Sequence, residues 1–370
     1  MVYLTARGDP MNNSACVELV SNLRWSRRTD PAAVMLQRVD TGHVFLIGEP
    51  EWLILQSFDG SPLETIRERL EARHTFTFSD GELEAFILRS YKSGLLTIDG
   101  RASSATRSRG KGWRLPLGNP ERIITWLAPR CRPLFHPISV LCAVGLLICA
   151  LMLWAFDTGD HTASVAALPF WTRATIAVTV VIVVGLLHEF AHALTLHRHG
   201  GSVREMGLTT VALCPCFYCD ITDSYLLPHK RQRIAVALAG PFAQAVAGAA
   251  GWTWLSLASP WSLAMQFALI CVSVLGLLSV ANLFPFARTD GYYVLTEILD
   301  APNLRRRAWQ WLKRLLRGFP ATDDRDRGSP WAFWLYAVPS AAFSAWVASR
   351  LLLALSRWMA PIMAGIVACA

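Results

Sequence analysis

Long apolar runs dominate residues 137–370. A membrane-spanning helix needs about 20 mostly apolar residues. Four runs meet this length: Pro137 to Phe156, Ala174 to Leu196, Ile234 to Leu257 and Ser262 to Phe286. Trp331 to Ser349 predicts a fifth span, and Leu351 to Ala370 predicts a sixth span or an interfacial helix. We therefore expect a mainly α protein whose residues 137–370 form a multi-pass membrane helical bundle of five to six spans.

The first hundred residues show shorter patterns, typical of a small soluble α+β unit. The predicted elements are a strand at Val44-Phe45-Leu46-Ile47, a short helix at Glu51 to Phe58, two helices beginning at the capping boxes Ser61-Pro62-Leu63-Glu64 and Ser79-Asp80-Gly81-Glu82, and a strand at Leu95-Leu96-Thr97-Ile98. Pro62 takes the first helical position in this prediction, and Gly94 ends the second helix. This order predicts a winged-helix-like domain over residues 1–100.

Composition agrees with a membrane protein. The chain is 53% hydrophobic and 17% charged, whereas soluble domains carry about 25% charged residues. A disordered, collagen-like or small disulfide-stapled protein is excluded. Its nine cysteines, an odd number lying mostly in or beside apolar runs, do not form the pattern of a secreted disulfide framework.

The charges are unevenly distributed. Residues 1–100 hold 10 Lys and Arg against 14 Asp and Glu, and residues 101–136 hold 8 against 1. No charged residue lies between Arg233 and Arg288. Basic segments beside apolar runs suit anionic lipid headgroups better than nucleic acid, and the acidic N-terminal domain argues against DNA binding.

Residues 101–136 connect the two parts. Arg101 to Gly118 predicts a flexible basic linker, and Ile123, Ile124 and Trp126 predict an interfacial segment. By the positive-inside rule, this segment and residues 288–328 belong in the cytoplasm. Since Met1 to Pro10 lacks the apolar stretch of a secretory signal, we expect the N-terminal domain to be cytoplasmic too.

A metal-binding motif interrupts the second apolar run. His188 and His192 are four residues apart, so both imidazoles project from one helix face, and Glu189 lies near enough to hold a water. The alternative to a metal site is a pair of histidines with a purely structural role near the end of a helix. Three polar groups in an apolar helix need a shared partner, however, and Zn²⁺ satisfies all of them.

A catalytic zinc takes three protein ligands and a water. Thr195 and Arg198 occupy the positions where the metzincin motif requires Gly and His, so that arrangement fails. Asp290 is the better third ligand. The orientation that follows from the positive-inside rule places the cytoplasmic ends of the second and fourth spans, and with them the histidine pair and Asp290, in the same leaflet. The active site should therefore open toward the cytoplasm.

These motifs resemble the site-2 protease family of intramembrane zinc metalloproteases. The resemblance covers roughly residues 174–310 and rests on His188-Glu189-Phe190-Ala191-His192, His199-Gly200-Gly201, Ala239-Gly240-Pro241 and Asn282-Leu283-Phe284-Pro285 with Asp290-Gly291. The continuation Tyr292-Tyr293-Val294-Leu295 and the later Pro302-Asn303-Leu304-Arg305 are similar to the peptide zinc metalloprotease branch, which is associated with modified-peptide gene clusters.

The resemblance implies a zinc-dependent endopeptidase. Zn²⁺ is then held by His188, His192 and Asp290, Glu189 acts as general base and acid, and Asn282 holds the substrate backbone or the oxyanion. The chain departs from the family pattern in three places: Tyr292 replaces a second glycine, Arg288 a frequent proline, and Gln244 a frequent asparagine.

Residues Gly42 to Asp99, including Phe58-Asp59-Gly60 and Ser93-Gly94-Leu95-Leu96, resemble the recognition element of pyrroloquinoline-quinone biosynthesis, a fold that binds leader peptides of ribosomally made, modified peptides. Such domains add the leader as an extra strand to a sheet edge. The implied function is leader removal from a modified peptide. Two alternatives to this function stay open: a regulatory protease that cuts a transmembrane signalling protein, and a non-catalytic membrane scaffold or export accessory. The N-terminal domain has its own alternative, a small cytosolic stabilising or dimerising domain.

Cys214-x-Cys216-x-x-Cys219 is a second group of potential ligands. Three thiols in six residues can hold a metal, but the sequence offers no obvious fourth ligand. We therefore interpret the segment as a re-entrant or surface loop with reduced cysteines, and the metal site stays the alternative.

Overall fold

The computed structural model describes residues 14–29, 32–74, 81–102, 113–156, 168–211, 214–257, 263–301, 303–317, 333–345 and 349. These residues are mostly helical, with a strand-rich N-terminal region. The chain divides into two compact units. One comprises Met1–Pro129 and Ala193–Arg233, and the other comprises Arg130–His192 and Ile234–Ala370.

The described residues between 14 and 102 form two small antiparallel sheets and three helices. The strands are β1 (Cys16–Leu19), β2 (Leu23–Thr29), β3 (Ala32–Arg38), β4 (Val44–Ile47), β5 (Asp59–Pro62), β6 (Leu96–Ile98) and β7 (Arg101–Ala102), and the helices are α1 (Glu49–Gln56), α2 (Leu63–His74) and α3 (Glu82–Lys92). The sheets have the orders β2-β3-β4 and β5-β1-β6-β7. One apolar core joins them, with Val17, Leu36, Trp52, Ile66 and Ile87 almost fully buried.

Two helix starts differ from the sequence prediction. Ser61 and Pro62 belong to β5, where Pro62 pairs with Cys16, so α2 begins only at Leu63. Pairing with β1 overrides the local capping signal. Helix α3 is capped by the backbone of Gly81 in a left-handed conformation without a side-chain hydrogen bond, and Ser79 and Asp80 lie outside the described residues. The glycine at position 94 ends α3, as predicted, with its N–H donating to the Tyr91 carbonyl.

A third sheet corrects the linker prediction. Strand β8 (Arg114–Gly118) pairs with β9 (Met206–Val211), which pairs with β10 (Cys214–Cys219). Residues 114–118 are therefore not a flexible linker, and the cysteine segment is a strand rather than an irregular loop. Pro116 lacks an N–H, which an edge strand tolerates, and β8 is an edge in this sheet.

Asp223 connects segments of the first unit that are far apart in the sequence. Its side chain is 2% exposed and accepts hydrogen bonds from Arg24 Nη1 at 2.7 Å and Ser202 Oγ at 2.8 Å, with Arg204 Nη2 at 3.4 Å. Burial alone would raise the pKa of the Asp223 carboxyl, but the bonds from Arg24 and Ser202 outweigh burial and hold this pKa below its usual value. The carboxylate therefore joins β2 to residues 202–204 within this unit.

Further helices follow along the chain: α4 (Glu121–Cys131), α5 (Pro137–Phe156), α6 (Phe170–Arg198), α7 (Lys230–Leu257), α8 (Leu263–Leu283), α9 (Asp290–Ile298), α10 (Leu304–Leu316) and α11 (333–345). Among the described residues, four segments are long and apolar enough to cross a membrane: Pro137–Phe156, Phe170–Arg198, Lys230–Ser256 and Gln266–Leu283.

The surfaces of these long helices are strongly apolar. Leu141 is 71% exposed, Val183 59% and Leu277 71%, and exposed apolar surface of this extent marks contact with a membrane or partner. The four helices indicate a membrane protein. The predicted fifth span is helical over 333–345, residues 351–370 lie outside the described part, and five to six spans stays a prediction.

Candidate metal centre

Two helices bring the predicted ligands together. His188 and His192 lie one turn apart on α6 and are 6% and 2% exposed. Asp290 is the first residue of α9, directly after the connection from α8. One ligand atom from each side chain lies within 4.8 Å of the others, the one such three-ligand group in the described part of the chain.

The three side chains face each other through atoms that can bind a metal. His188 Nε2 lies 3.0 Å from His192 Nε2 and 3.0 Å from Asp290 Oδ2, and His192 Nε2 lies 3.5 Å from Asp290 Oδ1. Ligand atoms at the usual distance from a tetrahedral zinc ion are separated by about 3.3 Å. The spacing therefore fits a tetrahedral metal ion without large movement.

A backbone hydrogen bond fixes the orientation of His192. Its Nδ1 lies 2.6 Å from the Val236 carbonyl oxygen. A carbonyl only accepts, so Nδ1 carries the proton and, in the neutral ring, Nε2 keeps a lone pair. That lone pair points toward Asp290, which is also an acceptor when ionised. A proton on Nε2 or a metal ion between these two acceptors would hold them 3.5 Å apart, and a metal ion would also accommodate His188 Nε2.

Gly240 creates the space for both imidazoles. A Cβ at this position would lie 2.5 Å from His188 Cε1 and 2.5 Å from His192 Nε2. Both distances are shorter than van der Waals contact allows. Glycine in the Ala239-Gly240-Pro241 segment of α7 therefore lets the histidine pair pack directly against that helix.

Gly291 has the corresponding role beside Asp290. A Cβ there would overlap the backbone carbonyl of Leu283, so the α9 start can approach the end of α8 only with glycine at this position. Thr289 Oγ1 donates to the Phe284 carbonyl at 2.5 Å and fixes the turn. Together these contacts set the position of Asp290.

Tyr292, which departs from the family pattern, is a core residue. It is 6% exposed and packs with Trp311, Phe333 and Tyr336, the last with its ring centroid 5.8 Å away. Its hydroxyl accepts the Arg305 N–H at 3.2 Å. The large side chain therefore attaches α9 to α10 and α11, a packing role that glycine could not have.

Glu189 and Asn282 lie beside the ligands. Glu189 follows His188 on α6 and is half-buried. Asn282, near the end of α8, has Nδ2 3.5 Å from His188 Nδ1 and 3.0 Å from Gln244 Oε1. Gln244 is 2% exposed and was not predicted as a site residue. The available signal was an amide within the uncharged apolar stretch that follows Arg233, where an amide needs a buried partner.

His197, which follows the motif by five residues, lies outside this group. His197 Nδ1 is 3.5 Å from Glu121 Oε1, so its ring is engaged elsewhere.

Comparison with known proteins adds no assignment, because no family model, curated protein or solved structure matches this chain.

Proposed function

We propose that the chain is a zinc-dependent endopeptidase of the site-2 protease type, embedded in the membrane as a multi-pass protein. The observation that carries the proposal is the arrangement of His188, His192 and Asp290 about one point, with the His192 tautomer fixed by the Val236 carbonyl. Two imidazoles and one carboxylate form a donor set of catalytic zinc, which leaves a coordination position for water.

The residues around this group supply the remaining functions. When bound, zinc polarises the scissile carbonyl and lowers the pKa of water to ~7. Glu189, adjacent to His188, is positioned on the chain to take a proton from the attacking water and transfer it to the leaving amine. Asn282 lies beside His188, and its amide N–H can donate to a substrate carbonyl.

The proposed substrate is a ribosomally made precursor peptide whose leader is removed. The sheet β2-β3-β4 ends on β4, and a sheet edge can accept an extended peptide as an added strand. The resemblance of residues 42–99 to a leader-recognition element motivates this choice. We place the N-terminal domain and the site opening on the cytoplasmic side, on the basis of the basic segments that flank the apolar runs.

The test uses purified full-length protein in detergent or lipid nanodiscs. Wild type should contain one zinc per chain and cleave a precursor peptide encoded beside its gene. Glu189→Gln should keep the zinc and lose at least about 100-fold in cleavage rate, because the general base is removed. His188→Ala should lose both.

Two outcomes would contradict the proposal. Absence of zinc from wild type, after growth and purification with zinc and without chelators, rejects the metal centre. Wild-type turnover by Glu189→Gln rejects the catalytic assignment. A third result supports the regulatory protease instead: the chain binds zinc and cleaves a transmembrane signalling protein, but it does not cleave precursor peptides encoded beside its gene.

A further inference from the structure

The two histidines differ in what holds their rings. His192 Nδ1 bonds to the Val236 carbonyl at 2.6 Å, a backbone group that no side-chain substitution removes. His188 Nδ1 instead faces the side chain of Asn282, whose Nδ2 lies 3.5 Å away and in turn bonds to Gln244 Oε1 at 3.0 Å. The ring orientation of His188 therefore depends on two amide side chains.

Metal binding determines which amide atom must face His188. His188 Nε2 is directed at His192 and Asp290, so a neutral ring that binds the ion through Nε2 carries its proton on Nδ1. The partner of Nδ1 must then be an acceptor. Rotating the Asn282 amide by half a turn places Oδ1 in this position, since the two amide ends are nearly equal in shape.

Gln244 can follow the same rotation. Half a turn of its amide places Nε2 opposite Asn282 Oδ1 and keeps the hydrogen bond between the two side chains. Asn282 Oδ1 then accepts one proton from His188 and one from Gln244. Because Gln244 is 2% exposed, water competes little for this bond.

We propose that Asn282, held by Gln244, is a positioning residue that keeps His188 in its metal-binding tautomer. This inference rests on the proposed function, since it concerns the same metal. It differs from a role in holding substrate because its consequence is measurable without any substrate. Groups that orient a ligating histidine typically change metal affinity by about 10–100-fold when they are removed.

The experiment measures zinc affinity of the full-length chain by competition with a chromophoric chelator. Asn282→Leu should lower the affinity about 10–100-fold. Asn282→Asp, which still accepts from Nδ1, should stay within about threefold of wild type on the same scale. Gln244→Leu should lower zinc affinity less than Asn282→Leu, because it removes only the hydrogen bond that holds the Asn282 amide and leaves the acceptor itself in place.

Two controls separate folding from positioning. Gln266→Leu removes an amide about 24 Å along α8 from Asn282 and should leave zinc affinity unchanged. Thermal unfolding of the metal-free variants tests for general damage. If Asn282→Leu does not fold, the zinc affinities of Gln244→Leu and Asn282→Asp are compared instead. A lower affinity in Gln244→Leu supports the positioning role, and equal affinities reject it.

The outcomes distinguish this inference from the proposed function. Wild-type zinc affinity in Asn282→Leu, together with a large loss in His188→Ala, rejects the positioning role and leaves the metalloprotease proposal intact. Equal losses in Asn282→Leu and Asn282→Asp reject the acceptor role. If His188→Ala also binds zinc like wild type, the proposed metal centre itself is wrong.

Discussion

The Nδ1 atom of His192 lies 2.6 Å from the backbone carbonyl oxygen of Val236. This bond orients a ligand of α6 from the backbone of α7. Because the partner is a backbone group, its chemistry cannot be changed by substitution at Val236. The orientation of His192 is therefore part of the packing of α6 against α7.

Gly240→Ala should weaken zinc binding by at least about 10-fold. The added Cβ would lie 2.5 Å from both His188 and His192, so both imidazoles must move away from α7. Chelator competition measures the change. Gly248→Ala on the same helix is the control, because its Cβ would meet Leu275 Cβ at an ordinary 3.5 Å. Equal zinc affinity in both variants would contradict the packing argument.

Asp290→Ala should weaken zinc binding by more than about 100-fold, which exceeds the loss typical of residues that only orient a metal ligand, and it should also abolish cleavage. It removes the carboxylate that lies 3.0 Å from His188 Nε2, whereas Glu189→Gln is expected to remove cleavage alone. Glu297→Ala, two turns further along α9, serves as a control. Zinc content and turnover are measured together, and an Asp290→Ala protein with full zinc affinity would remove Asp290 from the ligand set.

Gly291→Ala should destabilise the chain by about 1–3 kcal/mol, the usual range for overpacking. Its Cβ would overlap the Leu283 carbonyl, and relief requires α9 to move away from α8. The midpoint of thermal unfolding in detergent measures the effect. In contrast, Gly276→Ala has nothing within 4 Å of its Cβ and should be neutral or stabilising. Similar midpoints for both variants would refute the close approach.

Asp223 should make stability depend on pH in the acid range. Its folded-state pKa is lowered, so its contribution is complete above the usual aspartate pKa of about 3.9 and is lost as the pH falls through the lower, folded-state pKa. Asp223→Asn should be less stable than wild type by about 1–3 kcal/mol at pH 7, and this difference should shrink below pH ~4.

Thermal unfolding of the full chain between neutral and acid pH tests this expectation. Glu18→Gln is the matched control, since Glu18 is an exposed carboxylate in β1. A stability difference between wild type and Asp223→Asn that is constant with pH would show that ionisation of Asp223 does not contribute.

The long helices and the ligand group could be predicted because each depends on a strong local signal. Four apolar segments were found where their composition placed them. His188, His192 and Asp290 lie together, as the sequence predicts. In both cases, the cost of burying polar groups in an apolar environment leaves few alternatives.

The features that the sequence did not reveal depend on distant partners. Residues 114–118 belong to a segment rich in Ser, Gly and Arg, which is typical of a linker. They form a strand because they pair with β9. Pro62 has a helix-start signal and is used in a strand because Cys16 is opposite. Gln244 matters because Asn282 approaches it from another helix. Local patterns do not contain these pairings.

The pairing of β8 with β9 has a consequence for biosynthesis. Arg114 of β8 leaves the ribosome 92 residues before Met206 of β9, a delay of about 5–18 s at typical elongation rates. Two helices that are long and apolar enough to enter a bilayer are translated during this interval. The sheet can therefore close only after the ribosome has synthesised both of these apolar segments.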